Sequence, residues 1–314
     1  MSEEEFADLQ RSIEEQGHSW QAGETSLSAL PPEEQQFRLG LSLVPEEMDR
    51  IRAAIQTRAP MAAEFPSAWD WRNVDGTNWT TPIRDQKSCG SCVAFGTVGV
   101  LETMHKRHEA DAALQTNLSE AHLFFCGCGN CCDKGWWPSY ALDYAKSSGV
   151  PNEACFPYQD HNMPCADSCA DWQDQALKVV DWKEVTDAGA RKEWLSTTGP
   201  MVACIAVYRD FFSYRSGVYR HTSGDLAGYH AICAVGYSEA ENCWICKNSW
   251  GTNWGESGWF KIGYGECGID TEFAMYGVTG VVPGGPDPDP DPDPDPDPQP
   301  DGCREQIRQK LGLS

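Results

Sequence analysis

Positive charge is scarce in this chain of 314 residues: 24 lysines and arginines stand against 47 aspartates and glutamates, a formal net charge of −23. So acidic a protein is repelled by phosphate backbones and anionic headgroups, which argues against nucleic acid or a charged membrane surface as partner. Long apolar runs are lacking too. No stretch approaches the roughly 20 apolar residues of a membrane helix, so no membrane insertion is expected. The acidic opening MSEEEFADLQ holds no apolar core of the kind a signal peptide needs. Cysteine is missing from the first 60 residues, although the chain has fifteen. That many cysteines suits an oxidising compartment and pulls against the missing leader. An intracellular protein with free thiols would also fit; a secreted or cell-surface location is the expectation retained.

What is present divides the chain. The apolar content of 40% is enough for a packed core. Residues 1–60 carry three helical patterns. Phe6, Leu9 and Ile13 share one face, with Ser2 as a possible N-cap; PPEEQQFRLG opens on proline and acids and ends at Gly40; PEEMDRIRAAI repeats that opening with Met48, Ile51 and Ile55 on one stripe. Trp20, between the first two, has no helical partner. Stripes this thin bury little on their own, so the segment must dock on something. From Phe65 onward the composition shifts to Trp, Gly, Cys and Tyr. Helices are predicted from Ser91 or Cys92 to about His108, in NLSEAHLFF, from Pro138 to Gly149, and after an N-cap near Asp187. Strands follow in VACIAV, YHAICAVGY, CWICKNSW, GWFKIGY and FAMYGVTGVV. Helices first and strands second predict an α+β protein with segregated layers and a cleft between them. After Val282 the alternation of Pro and Asp admits neither helix nor sheet and predicts an extended spacer over 283–301, followed by a short tail of unassigned role, 302–314.

The chemistry gathers around RDQKSCGSCVAFGT. A thiol is a useful nucleophile as thiolate, and a helix N-terminus favours that anion. Cys92 sits where a polar turn passes into an apolar helix. His230 stands at the mouth of a strand pattern and can serve as base. Asn248, at the end of the next strand pattern, can fix the imidazole's tautomer, with Trp250 and Trp254 shielding it. Gln86 can offer an amide proton to a developing oxyanion beside the backbone N–H of Cys92.

In QKSCGSC, YHAICAVGY and KNSWGTNWGESGW the chain resembles the papain and cathepsin family of cysteine peptidases, and FPSAWDWR and LSEAHLFFC fit that family's mature start and second helix. His230 and Asn248 follow Cys92 at about the family's spacing of roughly 130–150 residues, the second slightly long. The resemblance covers residues 65–282. It implies a two-lobed fold, with a helical lobe and an antiparallel, barrel-like β lobe. It implies that Cys92 is the nucleophile, held as a thiolate by His230 as acid/base, with Asn248 as orienter and Gln86 as oxyanion donor. It implies disulfides Cys89–Cys132 and Cys126–Cys165, and an N-terminal prosegment, residues 1–60, that inhibits the peptidase domain, 61–282, until cut near Pro60–Glu64.

Departures qualify the match. Val93 stands where the family usually has Trp, and the turn after Cys132 keeps Gly135 but brings in Lys134 and Trp136. By the same resemblance Gly135 would pair with extended substrate, Trp136, Cys204 and Trp250 would line the cleft, and Glu272, in ECGIDTEF, would floor the pocket for the residue two before the scissile bond (P2) and accept Arg or apolar groups. No insertion like the occluding loop of cathepsin B is recognisable, so an endopeptidase acting on peptides or proteins is expected, as a monomer, with no cofactor. A silent peptide-binding relative, and a transpeptidase or ligase using the same acyl-enzyme, are the alternatives. CGCGNCC and CWIC have spacings that suit zinc, but disulfides or buried thiols are the expectation there, and no metal site is assigned.

Overall fold

The computed structural model describes residues 3–57 and 64–284. The expected Ser2 cap, most of the expected cleavage stretch, and the Pro/Asp spacer and tail from residue 285 onward lie outside the described residues. The N-terminal segment contains α1 (Glu3–Glu15), β1 (Gln21–Ala22), α2 (Pro32–Gln36) and α3 (Pro45–Thr57). Then follow β2 (Ala68–Asp70), α4 (Cys92–His108), a π-helical turn (His122–Cys126), α5 (Pro138–Ser147) and α6 (Trp172–Gln175). The second half runs β3 (Lys178–Val185), α7 (Ala188–Thr197), β4 (Met201–Tyr208), β5 (Tyr214–Ser216), β6 (Val218–Tyr219), β7 (Leu226–Ser238), β8 (Cys243–Lys247), β9 (Trp259–Gly263) and β10 (Met275–Val282).

Eight strands form one sheet in the order β3-β10-β4-β7-β8-β9-β6, with β2 added on β7. All of its pairings are antiparallel except β6 with β9. Two apolar cores result. One centres on α4, α5 and the loops between them; the other fills the sheet lobe with Phe211, Trp244, Trp254 and Phe260 among its large side chains. The α+β reading with separate layers holds. α4 is the spine of the molecule, buried along nearly its whole length. A helix buried on all sides loses the amphipathic stripe of a surface helix, and VAFGTVGVL has none. Gly96 lets α4 approach β7 closely: a Cβ there would meet the Ile232 carbonyl oxygen at 3.2 Å. Asp187 caps α7, its carboxylate accepting from the Ala190 N–H at 2.8 Å.

The N-terminal segment docks, as its thin stripes require. Leu9 and Ile13 of α1 are buried, whereas Phe6 is only half-buried. Trp20 finds its partners in the sheet lobe, stacked near Tyr214 and edge-on to Tyr219, and β1 pairs with β5. α2 ends at Gln36 rather than at Gly40, because the chain after it enters the cleft. β3 was not expected from the sequence. It lies at the edge of the sheet with β10 as neighbour, and its Lys178, Val180, Asp181 and Lys183 are exposed, so the apolar alternation of a strand is blurred.

Candidate active site

Cys92 is the first residue of α4, its thiol free and its side chain fully buried. His230 lies on β7 in register with Ile205 of β4, and Asn248 follows directly on β8, the strand paired with β7. Sheet pairing thus brings His230 and Asn248 side by side, and the packing of α4 on β7 brings the sulfur to them. The Ala231 N–H donates to the Cys92 sulfur at 3.4 Å. His230 Nε2 lies 2.8 Å from Asn248 Oδ1, and the Ser249 N–H donates to the same oxygen at 2.8 Å. An N–H can only donate, so the Ser249 contact identifies that atom as the amide oxygen. His230 therefore carries its proton on Nε2, and Nδ1 is left with a lone pair. Nδ1 is buried without a hydrogen-bond partner. Trp250 lies over the imidazole, ring centroids 4.7 Å apart, and keeps water from the His–Asn bond.

Gln86 is buried, with Ser249 Oγ donating to Oε1 at 2.6 Å and Nε2 donating to the Cys89 carbonyl at 3.0 Å. An amide nitrogen has two protons, so one remains for another acceptor. Ser249 thus touches both Asn248 and Gln86. It was not singled out in the sequence, where one more Ser in KNSWG carries no signal of its own.

The N-terminal segment closes the site. Backbone N–H groups of Gly40, Val93 and Cys92 join that of Ala231 in favouring charge on the sulfur. Around Gly40 the chain is clamped: the Trp136 N–H donates to the Gly40 carbonyl at 2.9 Å, the Ser42 N–H to the Trp136 carbonyl at 3.0 Å, and the Leu41 N–H to the Tyr229 carbonyl at 3.2 Å. Arg38 pairs with Asp85, and its carbonyl accepts from Trp250 Nε1. Glycine at 40 is required by closeness, since a Cβ there would lie 1.9 Å from the Gly90 carbonyl oxygen. Gly135, at φ +71°, faces it in the same way. The sequence marked Gly40 as a helix stop; its approach to a chain segment fifty residues on was not readable from local pattern.

Burial decides the charge state. The Cys92 thiol is pushed up to about 12, burial outweighing the amides that point at the sulfur. His230 is pushed down to about 4 by burial, against the Asn248 hydrogen bond. Burial thus works against the thiolate that the helix terminus favours, and in the covered site it pushes both groups towards their neutral forms. The helix dipole acts in the expected direction, but removing the pair from water costs more.

Of the remaining residues, Gly135 and Trp136 line the cleft beside the Gly40 chain. Cys204, a free buried thiol on β4, lies in register with Ala231, the residue whose N–H meets Cys92. Glu272 is exposed, its carboxylate 3.0 Å from Arg52 of α3. The turn from Gly268 to Phe273 carries it outward, where α3 lies across it. Disulfides join Cys89 to Cys132, Cys126 to Cys165, Cys128 to Cys131 and Cys155 to Cys169. Cys243 and Cys246 of CWIC are free and buried. Among the described residues, His122, Cys126 and Cys165 are the group whose ligand atoms lie close enough to hold a metal ion.

A nucleophile, a base with a free lone pair, an orienting amide and an oxyanion donor within one cleft can carry out acyl transfer. No described helix is long and apolar enough to cross a membrane. The family model described as "Papain family cysteine protease" matches residues 65–277. A cathepsin B-like protein of Giardia intestinalis, CP3, is 35% identical over 240 residues, 72% of this chain and 79% of that protein. A gut-specific cysteine proteinase of Caenorhabditis elegans is 34% identical over 255 residues, 71% of this chain and 76% of that one. The solved structure of proCathepsin B S9 from Trypanosoma congolense superposes with a TM-score of 0.71 at 24% identity, covering 89% of this chain and 98% of that one. Sequence match and fold agree over the same two lobes, and the chain belongs to the papain family of cysteine proteases.

Proposed function

We propose that this chain is the precursor of a cysteine endopeptidase, with its N-terminal segment lying in its own cleft until removed near Pro60–Glu64. One observation carries the reading: the Gly40 backbone sits at the Cys92 sulfur and bonds to Trp136, so a substrate carbonyl has no room there. In the opened enzyme water returns, the desolvation that holds both groups neutral falls away, and the thiol proton passes to His230 Nδ1. Cys92 Sγ then attacks a peptide carbonyl. The oxyanion accepts hydrogen bonds from the Gln86 side-chain amide and the Cys92 backbone N–H. His230 gives its proton to the leaving amine, Asn248 holds the ring, and water releases the acyl group from sulfur. The disulfides support the expectation of an oxidising, secretory route.

For substrate choice, the Arg52–Glu272 pair supports acceptance of a guanidinium by Glu272 once α3 has left. Cleavage of Arg-Arg against Phe-Arg dipeptide reporters should shift away from Arg-Arg in Glu272→Ala; unchanged selectivity dismisses that assignment. The precursor reading is tested by holding the full chain at mildly acid pH with a thiol reductant. Loss of about sixty N-terminal residues, followed by stoichiometric reaction of Cys92 with a thiol-directed epoxide, is expected. Full epoxide reactivity in the uncut chain at neutral pH overturns it.

A further inference from the structure

His122 is an uncommon buried residue. Its side chain is fully buried, and neither ring nitrogen has a hydrogen-bond partner. Its other neighbours are aromatic: Trp172 at 4.4 Å and Tyr144 at 5.9 Å between ring centroids. Leaving a polar nitrogen unpaired in the interior costs about 1–3 kcal/mol, so a partner in some state of the protein is the economical explanation. The ring lies beside the Cys126 and Cys165 sulfurs, with one ligand atom from each of the three residues within 4.8 Å of the others.

Local geometry makes the cluster. His122 and Cys126 are the first and last residues of the π-helical turn. A π turn holds more residues than the 3.6 of an α-helix, so positions four apart come nearly above one another, and such turns occur frequently at functional sites. Cys165 reaches the same spot from a separate short turn, Cys165–Asp167. The cluster opens outward, with Cys126 half-buried and Cys165 exposed. Nothing in the peptidase chemistry uses it.

We propose that, when the Cys126–Cys165 bond is reduced, His122, Cys126 and Cys165 form a zinc site that the disulfide excludes. The chemistry balances with a monothiol as reductant. Two equivalents break the S–S bond, leaving two protein thiols and one external disulfide. Zn²⁺ then displaces both thiol protons, and the two thiolates cancel its charge. One His122 nitrogen supplies the third bond, and the solvent side leaves a fourth position for water. Cysteine sulfur at about 2.3 Å and imidazole nitrogen at about 2.0–2.1 Å are ordinary zinc distances; the three ligand atoms already lie within 4.8 Å of one another, and the two sulfurs must move apart once their bond is broken. The disulfide and the metal are alternative crosslinks between the same two segments, so the lobe keeps its tie in either redox state.

The test uses the full chain, partly reduced with glutathione under native conditions. Cysteines are alkylated with and without Zn²⁺ and read peptide by peptide. Zinc is expected to slow labelling of Cys126 and Cys165 by about tenfold or more, while Cys128 and Cys131, reduced in the same sample, are little affected. Cobalt in place of zinc should give thiolate-to-metal absorption at one equivalent. In His122→Ala both effects should weaken by about tenfold or more, on the scale seen when even outer partners of a metal site are removed. Equal labelling with and without zinc in the wild-type chain overturns the proposal, whether or not the variant folds. So does zinc protection that survives intact in a folded His122→Ala chain.

Discussion

The two ends of the N-terminal segment are held by different physics. Residues 3–30 dock mainly through apolar side chains, Leu9, Ile13, Trp20 and Leu27 belonging to the core of the sheet lobe, with hydrogen bonds beside them such as Thr25 Oγ1 donating to the Phe212 carbonyl and the Gly23 N–H to that of Ser213. Residues 38–57 are held by backbone hydrogen bonds around Gly40 and by ion pairs, Arg38 with Asp85, Arg50 with Glu184 and Arg52 with Glu272. Met48 and Ile51 add an apolar contact there, but the chain over the nucleophile itself is polar backbone. Apolar docking offers no charge for salt to screen or pH to titrate, whereas ion pairs and buried titratable groups do. A segment held this way can loosen over Cys92 and His230 while its far end stays in place.

The largest effect should come from breaking the apolar end. Trp20→Ala removes a fully buried indole, which costs about 3–5 kcal/mol. Limited proteolysis should then cut within residues 3–30 far faster, at low and high salt alike. A salt-dependent response would blur the contrast between the two ends. Next in size is Gly40→Ala. Its methyl group would run into the Gly90 carbonyl at 1.9 Å, backbone against backbone, and overpacking of this kind costs about 1–3 kcal/mol. Alkylation of Cys92 at neutral pH should rise by at least about tenfold, with the melting temperature of the peptidase lobes little changed. A protected Cys92 in that variant would show that Gly40 is not what covers it.

Acid should loosen the polar end. His230 is held at about 4 while covered and returns towards about 6.5 in a loosened chain that water has entered but in which Cys92 still keeps its proton. Between those values the uncovered form binds more protons. The covered form is therefore fully favoured above about pH 6.5, weakens as the pH falls, and loses nothing further from this group below about 4. Cys92 alkylation in the uncut chain should show such a rise after correction for thiol reactivity, measured against a small-molecule thiol. A flat corrected profile would mean that burial of His230 is kept on opening. Arg52→Ala should have the smallest effect, below about 1 kcal/mol, because both partners are half-exposed. What effect it has should vanish in high salt.

The sequence was most legible where chemistry and pattern coincide. The Cys92 helix, the His230 strand and the Asn248 loop could be placed because a reactive residue stood at the edge of a clear apolar run. The cap at Asp187 was legible for the same reason. β3 was not, because an exposed edge strand carries little apolar alternation. The π turn was read as ordinary helix, since local propensity does not separate the two. Trp20 had no partner within its own segment because its partners are Tyr214 and Tyr219, some two hundred residues away.

By itself the sequence determined the set of candidate reacting groups, their order along the chain and the division into a helical and a sheet half, because residue type and local periodicity are properties of neighbours in the chain. Tertiary structure decided their charge. Whether Cys92 and His230 form an ion pair depends on how much water reaches them, and here that is set by Gly40, Trp136 and Trp250, which meet only in the folded molecule. Desolvation is a property of everything packed around an atom, and no short window of sequence contains it.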